Sequence, residues 1–212
     1  MKSIEENLDA RQRALFTSLN SPAAIQAYLD TTRYSAENAN RCPLSVLRDN
    51  QAHCLDGALF AAAALRRLGY PPLIIDMLPE PGTDDDHILA IFRQNGCYGA
   101  VAKSNFAGLR YREPLYRSLR ELVMSYFEWF FNLHGQKTLR SYTRPLDLSK
   151  YDHADWMVSD GGADLIEKRL AQLRQIALFP AEWAPRLNAV DALTRQAGML
   201  GVNEAGLFRP NH

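Results

Sequence analysis

Residues 54–69 read CLDGALFAAAALRRLG and residues 87–104 read HILAIFRQNGCYGAVAKS, and these two stretches decide the fold. The first is built from strong helix formers. It carries Arg66 and Arg67 where the negative end of a helix dipole sits, then stops at Gly69 with Pro71 and Pro72 behind it. The pattern predicts a helix with Cys54 at its start. The second stretch divides at Asn95-Gly96, two residues that accept the positive φ required at both positions of a two-residue hairpin loop. Two antiparallel strands follow, His87 to Gln94 and Cys97 to Ser104. Between helix and hairpin, Leu73 to Leu78 is a short apolar run bounded by prolines and reads as a buried strand, with PEPGTDDD as the turn behind it.

Working outward, Leu8 to Leu19 and a segment opened by Ser21 and Pro22, with Ile25, Tyr28 and Leu29 on one stripe, predict two N-terminal helices. Residues 35–50 are polar and interrupted by Pro43, and read as a loop leading to Gln51. Ser118 and Glu121 have capping-box spacing ahead of LVMSYFEWFFNLHG, whose aromatic stripe predicts a core helix ending at Gly135. After a proline-containing turn region, Ala163 to Leu178 and Arg186 to Ala197 read as helices, and the tail NEAGLFRPNH reads as poorly anchored. Helices, three strands and helices again make an α+β fold with a small antiparallel sheet. The expected organisation is one domain over 1–212, with a core at about 50–135, a helical layer at 1–34 and a helical extension at 160–200.

With 212 residues, 47% of them hydrophobic, the chain can bury one sizeable core. Lys plus Arg and Asp plus Glu both number 24, so no whole-molecule attraction to nucleic acid or to an acidic membrane is expected. Apolar runs such as Ala61 to Leu65 are far shorter than a bilayer span. The charged opening MKSIEENLDARQR lacks the apolar stretch of a secretory signal, and a cytoplasmic location is expected. Cys42, Cys54 and Cys97 are too scattered for a disulfide framework or a zinc site.

Chemistry concentrates at Cys54. A thiol at a helix N-terminus meets unpaired N–H groups and the positive dipole end, which favour the thiolate and can also hold an oxyanion. Gln51, three residues earlier, adds a possible side-chain donor. His87 begins a strand that arrives one helix and one strand later, and a nucleophilic cysteine needs such a base. AHCLDGALFAAAALRRLGYPP followed by DDDHILAIF resembles the transglutaminase-like superfamily, a branch of the papain-like cysteine enzymes, in a bacterial form. The resemblance covers roughly residues 50–105. It implies a transglutaminase-like domain with Cys54 as nucleophile, His87 as general base and acid, no cofactor, and an amide- or peptide-like substrate. The family's third position, usually an Asp on the next strand, falls within GAVAKSNF, where only Ser104 or Asn105 stands.

Counting selects between these two. If Asn95-Gly96 is the loop, Gln94 faces Cys97, paired positions sum to 191, and His87 faces Ser104, with Lys103 and Asn105 on the other face. Asp86 stands beside the histidine as a modulator of its pKa. Asp84, Asp85 and Asp86 lack a second ligand set, so no metal site is expected. His53 reads as a loop residue and Cys97 as packing. The basic stretch Lys103 to Arg120 reads as a salt-bridged loop beside the cleft rather than a nucleic-acid patch.

The expected function is therefore thiol-dependent acyl chemistry, hydrolysis or transfer, by a Cys54–His87 dyad oriented by Ser104. The competing expectation is a catalytically weak or inactive module of the same fold that binds a peptide or a partner protein.

Overall fold

The computed structural model describes residues 4–209. α1 (Ala10–Ser18) opens on Asp9, whose carboxylate accepts from the Gln12 N–H while the Gln12 side chain accepts from the Asp9 N–H. α2 (Pro22–Thr31) opens on Ser21 with Pro22 in its first turn, and a two-residue strand, β1 (Arg33–Tyr34), follows. The segment expected to be a loop holds α3 (Pro43–Asp49), closed by Asn50 in the left-handed conformation. Pro43 has no N–H to lose at the first helical position, so it starts a helix there instead of breaking the chain. β2 (Gln51–Ala52) runs parallel to β1, and α4 (Cys54–Arg67) begins where the composition placed it, buried from Cys54 to Leu65.

Next come β3 (Leu73–Pro79), β4 (His87–Gln94), β5 (Cys97–Val101), β6 (Arg112–Tyr116), α5 (Leu119–Met124), β7 (Leu139–Thr143) and β8 (Leu146–Asp147). α6 (Asp160–Leu170), β9 (Gln175–Ala177) and α7 (Ala192–Gly198) complete the chain. The fold is α+β, and its larger sheet has seven strands instead of the three expected. Their order is β6-β5-β4-β3-β7-β9, with β8 also beside β3, and all their pairings are antiparallel.

The hairpin is as counted. Asn95 and Gly96 take φ of 51° and 82°, and pairing runs from Gln94↔Cys97 to Ala90↔Val101. It stops there, because β5 ends at Val101 before reaching Ser104. Gly99 lies opposite Phe92, and a Cβ on it would come within 2.5 Å of that ring, so the glycine leaves space for the ring.

The sheet has two different faces. Ile74, Ile88, Ala90, Phe92 and Val101 pack with α4 and its alanines Ala58, Ala61, Ala62 and Ala64. Ile75, Met77, Leu89, Ile91 and Ala100 pack instead with Leu122, Tyr126, Phe127 and Phe130. The expected long aromatic helix is cut short. α5 ends at Met124, where the Ser125 hydroxyl donates to the Leu122 carbonyl, and the stripe continues as a 3-10 turn at Phe127–Trp129. The helix expected to reach Leu178 stops at Leu170, since residues 175–177 pair with the open edge of β7. The last expected helix is confined to Ala192–Gly198, capped by Asp191 and preceded by a 3-10 turn containing Pro185. The tail is tied down: the Asn105 side chain donates to the Asn203 and Gly206 carbonyls and accepts from the Asn203 N–H. Its last residues, Pro210 to His212, lie outside the described residues, as do Met1 to Ser3.

Candidate functional site

Cys54 occupies the first position of α4 and lines an open cleft of about 770 Å³. His53 caps the helix, its Nδ1 accepting from the Leu55 N–H at 3.2 Å. The buried Asp56 carboxylate accepts from the His53 N–H at 3.0 Å and the Arg41 N–H at 2.6 Å. Gly57 brings the first turn of the helix down onto Lys103, because a Cβ there would stand 2.2 Å from the Lys103 Cβ. Lys103 is thus on the α4 side, whereas the counting, with His87 and Ser104 taken to face Cys54, put it on the opposite face. Its ammonium donates to the Leu29 and Thr32 carbonyls at the end of α2, and burial, with Arg110 adding to it, lowers its pKa to about 8.

The structure does not bring His87 to Cys54. His87 pairs with Met77, and directly opposite residues share a face; Met77 belongs to the aromatic side of the sheet, away from α4. The His87 Nε2 lies 2.7 Å from the Leu109 carbonyl, to which its N–H donates, and burial brings the imidazole pKa down to about 4. On the Cys54 side, Ile88 of β4 and Asp86 in the turn before it line the cleft, whereas His87, Ser104 and Asn105 line a small pocket that adjoins it at Tyr34, Asp85 and Asp86. Ser104 shares the small pocket with His87, and neither lines the Cys54 cleft.

Ser104 is also occupied locally, its hydroxyl accepting from the Phe106 N–H at 2.9 Å. Gln51 donates to the Ser35 hydroxyl and does not line the Cys54 cleft. Asn105 is the clamp on the C-terminal segment. Cys42 is buried at the start of α3 with its thiol on Ser45, and Cys97 is half-buried beside the hairpin loop. Arg110, Arg112 and Arg120 of the basic stretch are engaged within the protein. Arg112 sits over the Tyr126 ring and donates to Gly108 and Ser125, Arg110 faces Asp30, and Arg120 donates to Leu178.

Helix position does not activate the thiol. Burial pushes Cys54 well above the usual thiol range, the carboxylates of Asp86, Asp85 and Asp76 push the same way, and a backbone hydrogen bond from Ile88 opposes them. His53 shares the cleft, but burial and the nearby Arg41 lower its pKa to about 4, and its Nδ1 lone pair is taken by Leu55.

What sequence reasoning missed is Asp76. It is the lone acid in the apolar strand LIIDML, a visible signal since an acid in a buried strand demands a partner. Asp76 lies opposite Ile88 on the α4 side, is 3% exposed, and lines the cleft next to Asp86. Its Oδ1 is buried without a hydrogen-bond partner. The two carboxyls share a hydrogen bond, and Asp76 is raised by burial first and by the Asp86 charge second. Around them stand Tyr34, Asp85, Glu37 and Glu167, with Lys168 as the one cation lining the cleft among the described residues.

No group of three or more His, Cys, Asp or Glu among the described residues is arranged to hold a metal ion, and no described helix is long and apolar enough to cross a membrane. No family model and no curated protein matches the chain. Among solved structures, Legionella pneumophila LapG is similar at a TM-score of 0.37 and 14% identity, covering 49% of this chain and 71% of that one. The EGTA-treated form of the same protein gives the same values.

Proposed function

We propose that this chain is a binding module built on a transglutaminase-like core, and that the cleft beside Cys54 receives a segment of a peptide or a partner protein. The observation that supports it is the assignment of Cys54 and His87 to opposite faces of the sheet, which keeps His87 from serving as the thiol's base, while burial raises the Cys54 pKa. An open cleft of about 770 Å³ is large enough for several side chains.

A second reading, thiol-dependent acyl chemistry with water or an amine resolving an acyl-enzyme, draws on one observation: Cys54 stands at a helix start and lines the cleft. Iodoacetamide labelling, followed by mass spectrometry across neutral to alkaline pH, separates the two. For the binding module, Cys54 labels only at strongly alkaline pH, and His87→Ala leaves its rate unchanged. Rapid labelling of Cys54 at neutral pH that is lost in His87→Ala, together with ester or amide turnover, establishes the acyl chemistry instead.

A further inference from the structure

We propose that the cleft holds a site for an N–H-bearing organic cation, a guanidinium or ammonium head on an alkyl stem, seated between Asp76 and Asp86 beside Cys54. The inference deepens the binding-module reading and rests on it, since it names the chemistry of the group that docks.

A buried carboxyl oxygen with no hydrogen-bond partner is rare, because its desolvation is offset by nothing within the protein. Asp76 Oδ1 is such an atom, on a residue 3% exposed that lines the cleft. The Asp76 N–H donates to the Thr143 hydroxyl at 3.0 Å, and its carboxyl shares a hydrogen bond with Asp86. One acceptor is left over at the floor of an acidic cleft.

The surroundings select the ligand's charge and shape. Asp85, Asp86, Glu37 and Glu167 line the same cleft against Lys168 alone, so an anionic group is repelled. Leu55, Leu78, Leu207 and Phe208 also line it and offer apolar contact to an alkyl stem. A metal ion is a poorer fit than an organic cation, since no described cluster of three ligating side chains is arranged to hold one. An N–H donor on a cationic head satisfies Oδ1 and replaces the shared proton between the two carboxyls.

The pair faces other titratable groups: Asp85 from the turn before β4, His53 and Cys54 from α4, Tyr34 from β1 and Glu167 from α6. The cation's exchange for the shared proton makes binding tighten as pH rises through the neutral range, and loss of a proton from the raised Asp85 acts in the same direction.

The test uses butylguanidine and butylamine against neutral butylurea, with saturation followed at the Leu55 and Ile88 amides in nitrogen-15 spectra of the full chain. At least one of the two cations saturates these amides, butylurea binds about tenfold or more weakly, and Asp76→Asn, which keeps the shape, lowers cation binding by about tenfold or more. Equal binding of butylurea, or unchanged binding by the folded Asp76→Asn variant, overturns the cation site. The binding-module reading fails separately, by neutral-pH labelling of Cys54 with turnover. Wild-type thermal unfolding without ligand, compared with that of Asp76→Asn, shows whether the variant is folded.

Discussion

The two faces of the central sheet are both buried, yet they are closed by different means and carry opposite electrostatics. Against α4 the sheet meets alanines, so helix and strands approach closely and leave an open cleft at the helix start, with carboxyls on its floor. Against α5 and the following turn it meets Tyr126, Phe127 and Phe130, which fill the space, and Phe130 with Phe106 and Phe131 encloses the small pocket that His87 lines. The alanine-packed face leaves ionisable groups lining an open cleft, and the aromatic face buries its histidine against one carbonyl. The difference comes from side-chain volume, not from strand geometry, which is continuous through β3 and β4.

The largest expected effect removes volume from the filled face. Phe130→Ala takes away a ring that is 2% exposed and should destabilise the protein by about 3–5 kcal/mol in urea unfolding, leaving a cavity that frees His87 to move. Cys54 labelling in the folded variant should stay as slow as in the wild type. If it accelerated, the two faces would be coupled and their separation would not hold.

The sequence made the hairpin legible because Asn95-Gly96 fixes a turn, and a turn fixes pairing from Gln94 down to Ala90. It did not reveal which face α4 covers. HILAIF is apolar at every position after the histidine, so the usual alternation of apolar and polar residues is missing, and parity has no anchor. His87 was therefore placed wrongly relative to Cys54, and the counted pairing ends at Ala90↔Val101, short of Ser104. The start of α4 was plain from composition, whereas β6, β7, β8 and β9 are short pieces of two to five residues that pairing stabilises more than local preference does. Asp76 was readable as an anomaly within LIIDML, but its partner Asp86 lay in the turn before the next strand and so was not.

Acidification sharpens the comparison because the two faces respond with opposite sign. His87 has a folded pKa of about 4 against an ordinary 6.5, so the folded state resists its protonation. Its stability contribution is complete above 6.5 and is lost as pH falls toward 4, on the order of 3 kcal/mol. Asp76 and Asp86 are raised, so the folded state binds their protons more tightly, and acidification from neutral pH adds stability until the unfolded carboxyls also protonate. His87→Gln keeps a donor for the Leu109 carbonyl and should remove the acid-side loss. Asp76→Asn should stabilise the protein at neutral pH by about 1–3 kcal/mol, an advantage that shrinks on acidification. Unfolding measured against pH for both variants checks the signs, and parallel curves would show that the faces do not differ electrostatically.

The smallest effect concerns Ser104. Its hydroxyl accepts one backbone N–H, from Phe106, and makes no hydrogen bond to His87 although both line the same small pocket. Ser104→Ala should therefore cost only about 0.5–1.5 kcal/mol and leave Cys54 labelling unchanged, because the sheet lies between them. Ser104→Asp is the more incisive variant. A carboxylate in that pocket should raise the His87 pKa from about 4 toward its ordinary value, by opposing the desolvation that now lowers it. Proton NMR of the imidazole across the acidic range reads that shift directly. An upward shift without faster Cys54 labelling confines the charge to the aromatic face, and faster labelling would mean that His87 reaches the thiol after all.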